Sequence, residues 1–587
     1  MAESLNLQDK EAKAKMAGKP EIAESEVARY NKLKSQRMAI FDTAWQQLAQ
    51  YFIPNLSDIN EQKTEGTTGW GDLIFDTTAI EDARTCTTGQ QNWATPMTEP
   101  WFSWRPPQFL GQEEDDDGAL WFGNATEIAL DELARSNYYS MSGMQYQSRT
   151  IFGTGHLHIE EGENSAINCT SRKIGTYCCA KNREGIVDTI YSEFKMSARE
   201  AMQEFGYENL SPKVRKAVDE KNSKGLDKEF NFLHVIRPRT ELERTPGKID
   251  GANKPIASIY IMIEDKFCCR IGGYEEMPDS VTRFNDWGTG TVWGYSPAFE
   301  TLPNVRQLNY IVRFQDAQYE LRANPRILTP INLWGELDLR PGGVTPYDPN
   351  LAGGLKPEEW MTMADVAGTE HSVEMKQKAV HRMFYTDVFQ MLQQIERKMT
   401  AYEIAQRVGE KLEQLSPMFA RIITEKTTID LKRIFGILYR KGKFGPPPRS
   451  LLVPTGNNKA KLVMPEVTYT SRLALALKSL QNRATMDTMN FMAEFAQATN
   501  HPEILDNWNL DAMARTFAIN QGMSPRFERK YGDVLKIRQA RAAQVQQQQA
   551  MQTMAETAKA AGKLGSAPEG IQKQVTEAMG GDQTAAA

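Results

Sequence analysis

Four Gly-Lys dipeptides, a His-Leu-His triplet and six cysteines are the residues with most chemistry to offer in this chain of 587 residues. A phosphate-cradling loop needs Gly-Lys followed by Ser or Thr, so that backbone N–H groups, the ammonium and a metal-bound hydroxyl converge on the nucleotide. Here Lys19, Lys248, Lys443 and Lys563 are followed by Pro20, Ile249, Phe444 and Leu564, and none supplies the hydroxyl. Neither H-E-x-x-H nor G-x-S-x-G occurs, which removes the commonest zinc-protease and serine-hydrolase signatures. His156-Leu157-His158 puts two imidazoles on one strand face, a pair that a metal would accept if a third ligand were marked. No spacing marks one, so a hydrogen-bonded pair is the simpler reading.

Cys86, Cys169, Cys178-Cys179 and Cys268-Cys269 contain no C-x-x-C. Adjacent residues on a strand face opposite ways, so the two pairs are expected to be small core residues in a reducing cell rather than disulfides. The acidic run 113–117 reads as a solvated loop whose charge favours the start of the next helix. The residues therefore define no catalyst, and neither a metal nor a cofactor is expected.

One charged feature remains. Between Arg421 and Lys461 stand ten Lys/Arg against two acidic residues, a local charge of +8 in a chain whose net charge is −6. Lys432, Arg433, Arg440, Lys441 and Lys443 form its centre. It is expected to be either a solvated helix face or a surface meeting phosphates or an acidic partner. A protein that wraps nucleic acid over its whole surface would be basic throughout, so only a local basic lining fits.

The length is a soft prior of about four domain-sized units. Apolar residues make up 40% of the chain, enough for a large core, and no run approaches the ~18 apolar residues of a membrane span. The opening residues lack the apolar core of a signal peptide, so a cytosolic chain is expected. Met38, Phe41, Trp45, Leu48 and Phe52 recur at helical spacing, closed by Pro54. Thr78-Ala79-Ile80-Glu81 and Ser197-Ala198-Arg199-Glu200 have the form of capping boxes. Pro100-Trp101-Phe102-Ser103-Trp104 is expected to be a packed extended segment. Residues 186–191 and 256–263 read as strands, a long helix is expected over about 302–323, and 325–369 is rich in Pro and Gly. Helix resumes near Glu370, with a break expected near 398–400, and continues to Tyr439. Segment 463–469 reads as a strand and 471–499 as helix. The fold class is α+β, mainly helical.

The ordered set of segments resembles the head-to-tail connecting (portal) proteins of short-tailed bacteriophages. It comprises Arg37, Phe41, Trp45 and Tyr51-Phe52-Ile53-Pro54, then Asp76-Thr77-Thr78-Ala79, Thr95-Pro96-Met97 and Pro100-Trp101-Phe102. Val292-Trp293-Gly294-Tyr295-Ser296-Pro297, Leu308-Asn309 and Asn324-Pro325 follow. Next come Met399-Thr400-Ala401-Tyr402-Glu403-Ile404, Leu415-Ser416-Pro417, Arg421 and Ile437-Leu438-Tyr439-Arg440-Lys441-Gly442. Tyr469 to Leu480, Gly522-Met523-Ser524-Pro525 and Ile537-Arg538 complete the set, and Tyr295 departs from the smaller or basic residue expected there.

The resemblance implies a portal fold, with wing, stem, clip and crown, assembled as a ring around an axial channel. The alternating Lys and Glu of 1–28 read as a flexible arm, which lies outside the resemblance, as does the Ala/Gln-rich tail at 546–587. The resemblance implies a wing at 29–295, helical over 29–150 and strand-rich over 151–293. Stem helices would lie at 296–324 and 370–396, flanking a clip at 325–369. A channel loop at 397–402, a wing helix and return at 403–469 and a helical crown at 470–545 would follow. Arg397 and Lys398 are the implied DNA-channel residues. The implied partners are further copies of the chain (twelve in the usual ring), double-stranded DNA, the terminase large subunit, major capsid and scaffolding proteins, and tail adaptor and tail tube proteins, with no membrane. The implied location is the capsid vertex of the virion, after assembly in the host cytoplasm. A different structural ring of the virion (a tail adaptor or internal head protein), or a packaging nuclease or ATPase, is the alternative.

Overall fold

The structure, a computed structural model, describes residues 20–59, 71–107, 116–220, 223–245, 250–288, 290–323, 327–328, 358–359, 366–394, 415–455, 459–470, 485–495, 508–520 and 531–564, with a few single positions between them. Its opening helix, Pro20–Arg37, starts inside the segment expected to be a flexible arm. Among alternating Lys and Glu, Ala23, Val27 and Tyr30 fall on one helical face, and that face is buried on the sheet. The charged residues assist: Glu26 accepts from Tyr191 and Arg237, and Tyr30 donates to Glu193.

A π-turn, Met38–Asp42, joins this helix to Thr43–Phe52. The Arg37–Asp42 ion pair spans it at 3.0 Å, and Arg37 also donates to the Tyr177 carbonyl. The inserted residue turns the expected apolar stripe: Phe41, Trp45, Leu48 and Phe52 are buried, whereas Met38 is 52% exposed. The helix Thr78–Ala94 is entered through Thr77 rather than Thr78. Asp76 accepts from the Thr78 N–H, and Glu81 pairs with the Thr77 hydroxyl, so the capping box expected at 78–81 does not form. The box at 197–200 does, with both reciprocal bonds in place and Gly206 as C-cap.

The short strand β1 (Phe102–Arg105) pairs antiparallel with Glu466–Tyr469, matching Phe102 to Tyr469. Trp101, Phe102 and Trp104 are fully buried against Phe122 and Phe435, so this segment is core. Helices Asp116–Arg135 and Tyr138–Phe152 lead to β2 (Thr154–Glu161). That strand lies between β3 (Ile167–Arg172) and β9 (Asp279–Arg283) in a three-stranded sheet.

The strands β4 (Tyr177–Lys181), β5 (Val187–Ser197), β6 (Glu229–Pro238), β7 (Ile256–Met262) and β8 (Phe267–Tyr274) form an antiparallel meander in sequence order. All six cysteines are buried, and none is in a disulfide. Cys178 and Cys179 enter different apolar clusters, as do Cys268 and Cys269, which is the alternation of a strand buried on both faces.

Beyond β9 the chain forms the helix Pro297–Ala323, beginning at Ser296-Pro297 and running through Pro303. The second long segment is Val366–Met383 followed by Thr386–Gln394. Its break is at Tyr385, which has φ +56. A break was expected at about 398–400; residues 395–414 lie outside the described ones. From Leu415 the chain is helical again, with a π-turn at Ile423–Thr427 continuing into Thr428–Arg440. The last helix among the described residues, Tyr531–Leu564, spans 34 residues, about 50 Å at 1.5 Å per residue. It passes through the boundary expected at 545/546 without interruption, and Arg538 holds Asp511 of the preceding helix by two 2.6 Å bonds.

Candidate functional site

Two long helices pair with each other on the body of the fold. Pro297–Ala323 and Val366–Met383 lie side by side, and the insert between them is closed at its base by antiparallel pairing of Ile327 with Glu359 and Leu328 with Glu358. Three contacts lock the pair along its length. Lys376 donates to Asn304 and Gln307, Tyr319 donates to Glu370 at 2.6 Å, and Thr369 donates to Gln318.

Two polar anchors hold the pair to the body. The buried Asn309 accepts from the Phe75 and Asp76 N–H groups at 2.7 and 3.0 Å while donating to the Val305 carbonyl. This joins two of the singled-out segments, Asp76-Thr77 and Leu308-Asn309. The second anchor is Asp82, buried, which accepts from His381 Nδ1 at 2.8 Å and Thr386 at 2.9 Å. Burial pushes the Asp82 carboxyl up, against the two donors that pull it down. Below the break at Tyr385, Phe389 lies where a side chain on Gly89 would stand, so only glycine lets these two elements meet. Neither anchor has a local pattern: each partner lies more than 200 residues away.

Two further segments, around Phe41-Trp45 and Trp293-Tyr295, are packing, and 324–325, 399–404 and 522–525 lie outside the described residues. Trp45 meets Trp293 edge-on with 4.8 Å between ring centroids, and Phe41 stacks on Trp45 at 5.5 Å. Tyr295, the departure from the expected residue type, stacks on Phe299 and meets Trp287, closing the start of the long helix.

The long helix has apolar residues on more than one side. Val305, Leu308 and Asn309 face the body. Tyr310 and Phe314, one turn apart, are 71% and 54% exposed, and Met375 on the paired helix is 60% exposed. A helix that carries apolar residues around its circumference is normally buried around it.

The basic cluster is engaged within the chain. Arg433 is buried, donates to the Ile159 carbonyl and pairs with Glu276 at 3.2 Å. Arg440 pairs with Glu276 at 2.8 Å and with Glu161. The Glu276 carboxylate occupies the place of a Gly436 side chain, between the two arginines. Lys443 pairs with Glu132 at 2.9 Å, and Lys441 donates to the Gly162 carbonyl. Lys432 is exposed, and among the described residues no ion pair holds it.

Lys426, inside the π-turn, is fully buried. It donates to Asp430 at 2.8 Å and Gln145 at 2.7 Å, and lies over the rings of Tyr138 and Tyr146. The acidic partners Glu132, Glu161 and Glu276 come from distant segments, which is why the local charge of 421–461 overstates what the surface presents. Arg397 and Lys398 lie outside the described residues. Among the described residues no group of three His, Cys, Asp or Glu side chains is arranged to hold a metal, and no helix is long and apolar enough to cross a membrane.

The fold is a mainly helical α+β body that carries a pair of long helices, and much of the basic cluster is paired within the chain. The family described as bacteriophage head to tail connecting protein matches residues 24–527, and the chain belongs to that family. It is 28% identical over 544 residues to the portal protein of Salmonella phage epsilon15, covering 89% of this chain and 93% of that protein. It is 26% identical over 558 residues to the probable portal protein of Bordetella phage BPP-1, covering 94% and 97%. The chain has the portal function: it is a structural component of the virion at the capsid vertex, associated with capsid and tail, and not an enzyme.

Proposed function

We propose that identical copies, twelve in the usual ring, close around an axial channel through which double-stranded DNA enters and leaves the capsid. The terminase large subunit docks during packaging, tail adaptor and tail tube proteins take its place afterwards, and major capsid and scaffolding proteins hold the rim. Assembly takes place in the host cytoplasm. The helix pair is assigned to the stem (296–324 and 370–396), 325–369 to the clip, the strand-rich body to the wing and 470–545 to the crown.

The observation that carries this reading is the helix pair, closed at its insert and anchored through Asn309 and Asp82, with Tyr310, Phe314 and Met375 left uncovered in the single chain. A head-to-tail contact repeated around an axis covers such a face on every copy. DNA of any sequence must slide, so base-edge bonds would be a defect, and contacts should be few and directed at phosphates. Ion pairing of Arg433, Arg440 and Lys443 within the chain is consistent with a conduit that is mostly neutral. The phosphate contacts are then assigned to Arg397 and Lys398 on the channel loop 397–402.

The test is charge reversal, Arg397→Glu with Lys398→Glu, in phage supplied with the altered protein. The expected result is intact rings and particles with less packaged DNA, measured by genome length per particle. Unchanged packaging contradicts the assignment.

A further inference from the structure

Three of the chain's six histidines, His156, His158 and His234, are buried together. His156 Nε2 and His158 Nδ1 both lie 2.8 Å from Asp279 Oδ1. His158 and His156 belong to the three-stranded sheet, whereas His234 belongs to the five-stranded one. The rings of His158 and His234 meet edge-on at 5.8 Å. His234 in turn stacks on Tyr260 at 4.0 Å and bonds to Ser258. His156 Nδ1 and Asp279 Oδ2 are buried with no hydrogen-bond partner.

We propose that this cluster is a proton-set joint between the two sheets of the wing, closed when it holds a single imidazolium and opened when further protons enter it.

The protonation pattern follows from the contacts. An ionised carboxylate only accepts, so both nitrogens aimed at Asp279 Oδ1 carry hydrogen. Asp279 is held well below the carboxylate range by the two histidines, against its burial. His158 is pushed up, because Asp279 and Glu160 outweigh its burial, so it is the charged member. Burial pushes His156 down and His234 further down, and both are neutral. The closed joint is thus one carboxylate and one imidazolium, with His156 Nδ1 bare.

The surroundings add positive charge rather than removing it. On β2 itself the other ionisable groups are Glu160, bonded to Asn168, and Glu161, paired with Arg440. β3 contributes Arg172, β4 Tyr177 and Cys179, β7 Tyr260, and β8 Arg270 and Tyr274. Arg433 lies over Tyr274 from the 428–440 helix. A proton on His156 or His234 therefore meets His158 and Arg172, with only Asp279 and Glu160 in compensation.

The sign is fixed by linkage. The folded values of His156 and His234 lie below that of an open imidazole. Their contribution is present above about pH 6.5 and is lost as pH falls. His158 works the other way: its contribution is present below about pH 6.5 and is lost as pH rises through its raised folded value. The joint is tightest between these limits.

Native-state hydrogen exchange of the full assembled chain, corrected for intrinsic rates, tests this at pH 7 and pH 5.5. Protection of β2, β9, β6 and β7 should fall at the lower pH, by at most about ten-fold for each of His156 and His234, while the Thr78–Ala94 helix is unchanged. His234→Gln, which keeps a polar partner for Ser258, should lose its share of that acid response. Equal protection of these strands at both pH values in the unaltered protein overturns the proposal, as does a full response in His234→Gln.

Discussion

Lys426→Ala is expected to lower the folding free energy by about 3–5 kcal/mol, the cost of stranding one member of a buried ion pair. The lysine and Asp430 are both fully buried, and Tyr138 donates to the same carboxylate oxygen that Lys426 reaches. Without the ammonium, Asp430 keeps one phenol donor for a charge that cannot return to water, and Gln145 loses its partner. The aromatic faces of Tyr138 and Tyr146 lose their cation as well. The measurement is urea unfolding by tryptophan fluorescence at one fixed protomer concentration, because assembly adds to apparent stability. Lys426→Met with Asp430→Leu should restore most of the loss, since removing both charges removes the desolvation penalty. A single variant within about 0.5 kcal/mol of the unaltered protein, the scatter of ordinary surface changes, would show that the pair does not hold these helices together.

Tyr310→Glu with Phe314→Glu is expected to abolish assembly while leaving the chain folded. Both side chains are largely exposed in the single chain, so the fold loses little by their removal. At a subunit contact each Phe-sized side chain is worth about 1.5–3 kcal/mol of burial. Losing two costs about 3–6 kcal/mol per contact, or roughly two to four orders of magnitude in association. Sedimentation should give monomers with unchanged near-ultraviolet circular dichroism. Assembly at the concentration of the unaltered protein would place the subunit contact elsewhere.

Most of the architecture was legible because it rests on local periodicity and on glycine and proline. The Trp101-Phe102-Ser103-Trp104 segment, the strands at 186–191 and 256–263 and the long helix expected over about 302–323, which starts earlier, at Pro297, follow from residue type and spacing. Both π-turns were not legible, because each depends on one residue in five adopting a different hydrogen bond. One is spanned by Arg37–Asp42, and the other places Lys426 in the core.

Periodicity also counted Met38 into a stripe that the first π-turn rotates away. The alternating Lys/Glu opening concealed Ala23, Val27 and Tyr30, three small or amphipathic residues with little hydropathic contrast. The break at Tyr385 is set by packing of Phe384 and Phe389 rather than by a helix-breaking residue. The charge of the 421–461 segment was read correctly as a number and incompletely as a surface, because Glu132, Glu161 and Glu276 come from far along the chain.

Single-particle imaging of the purified full chain tests the central claim most directly. Closed rings with an open centre wide enough for duplex DNA, and with the helix pair lining or flanking it, are the predicted result. Solitary compact particles at every concentration, or open filaments that never close, would contradict it.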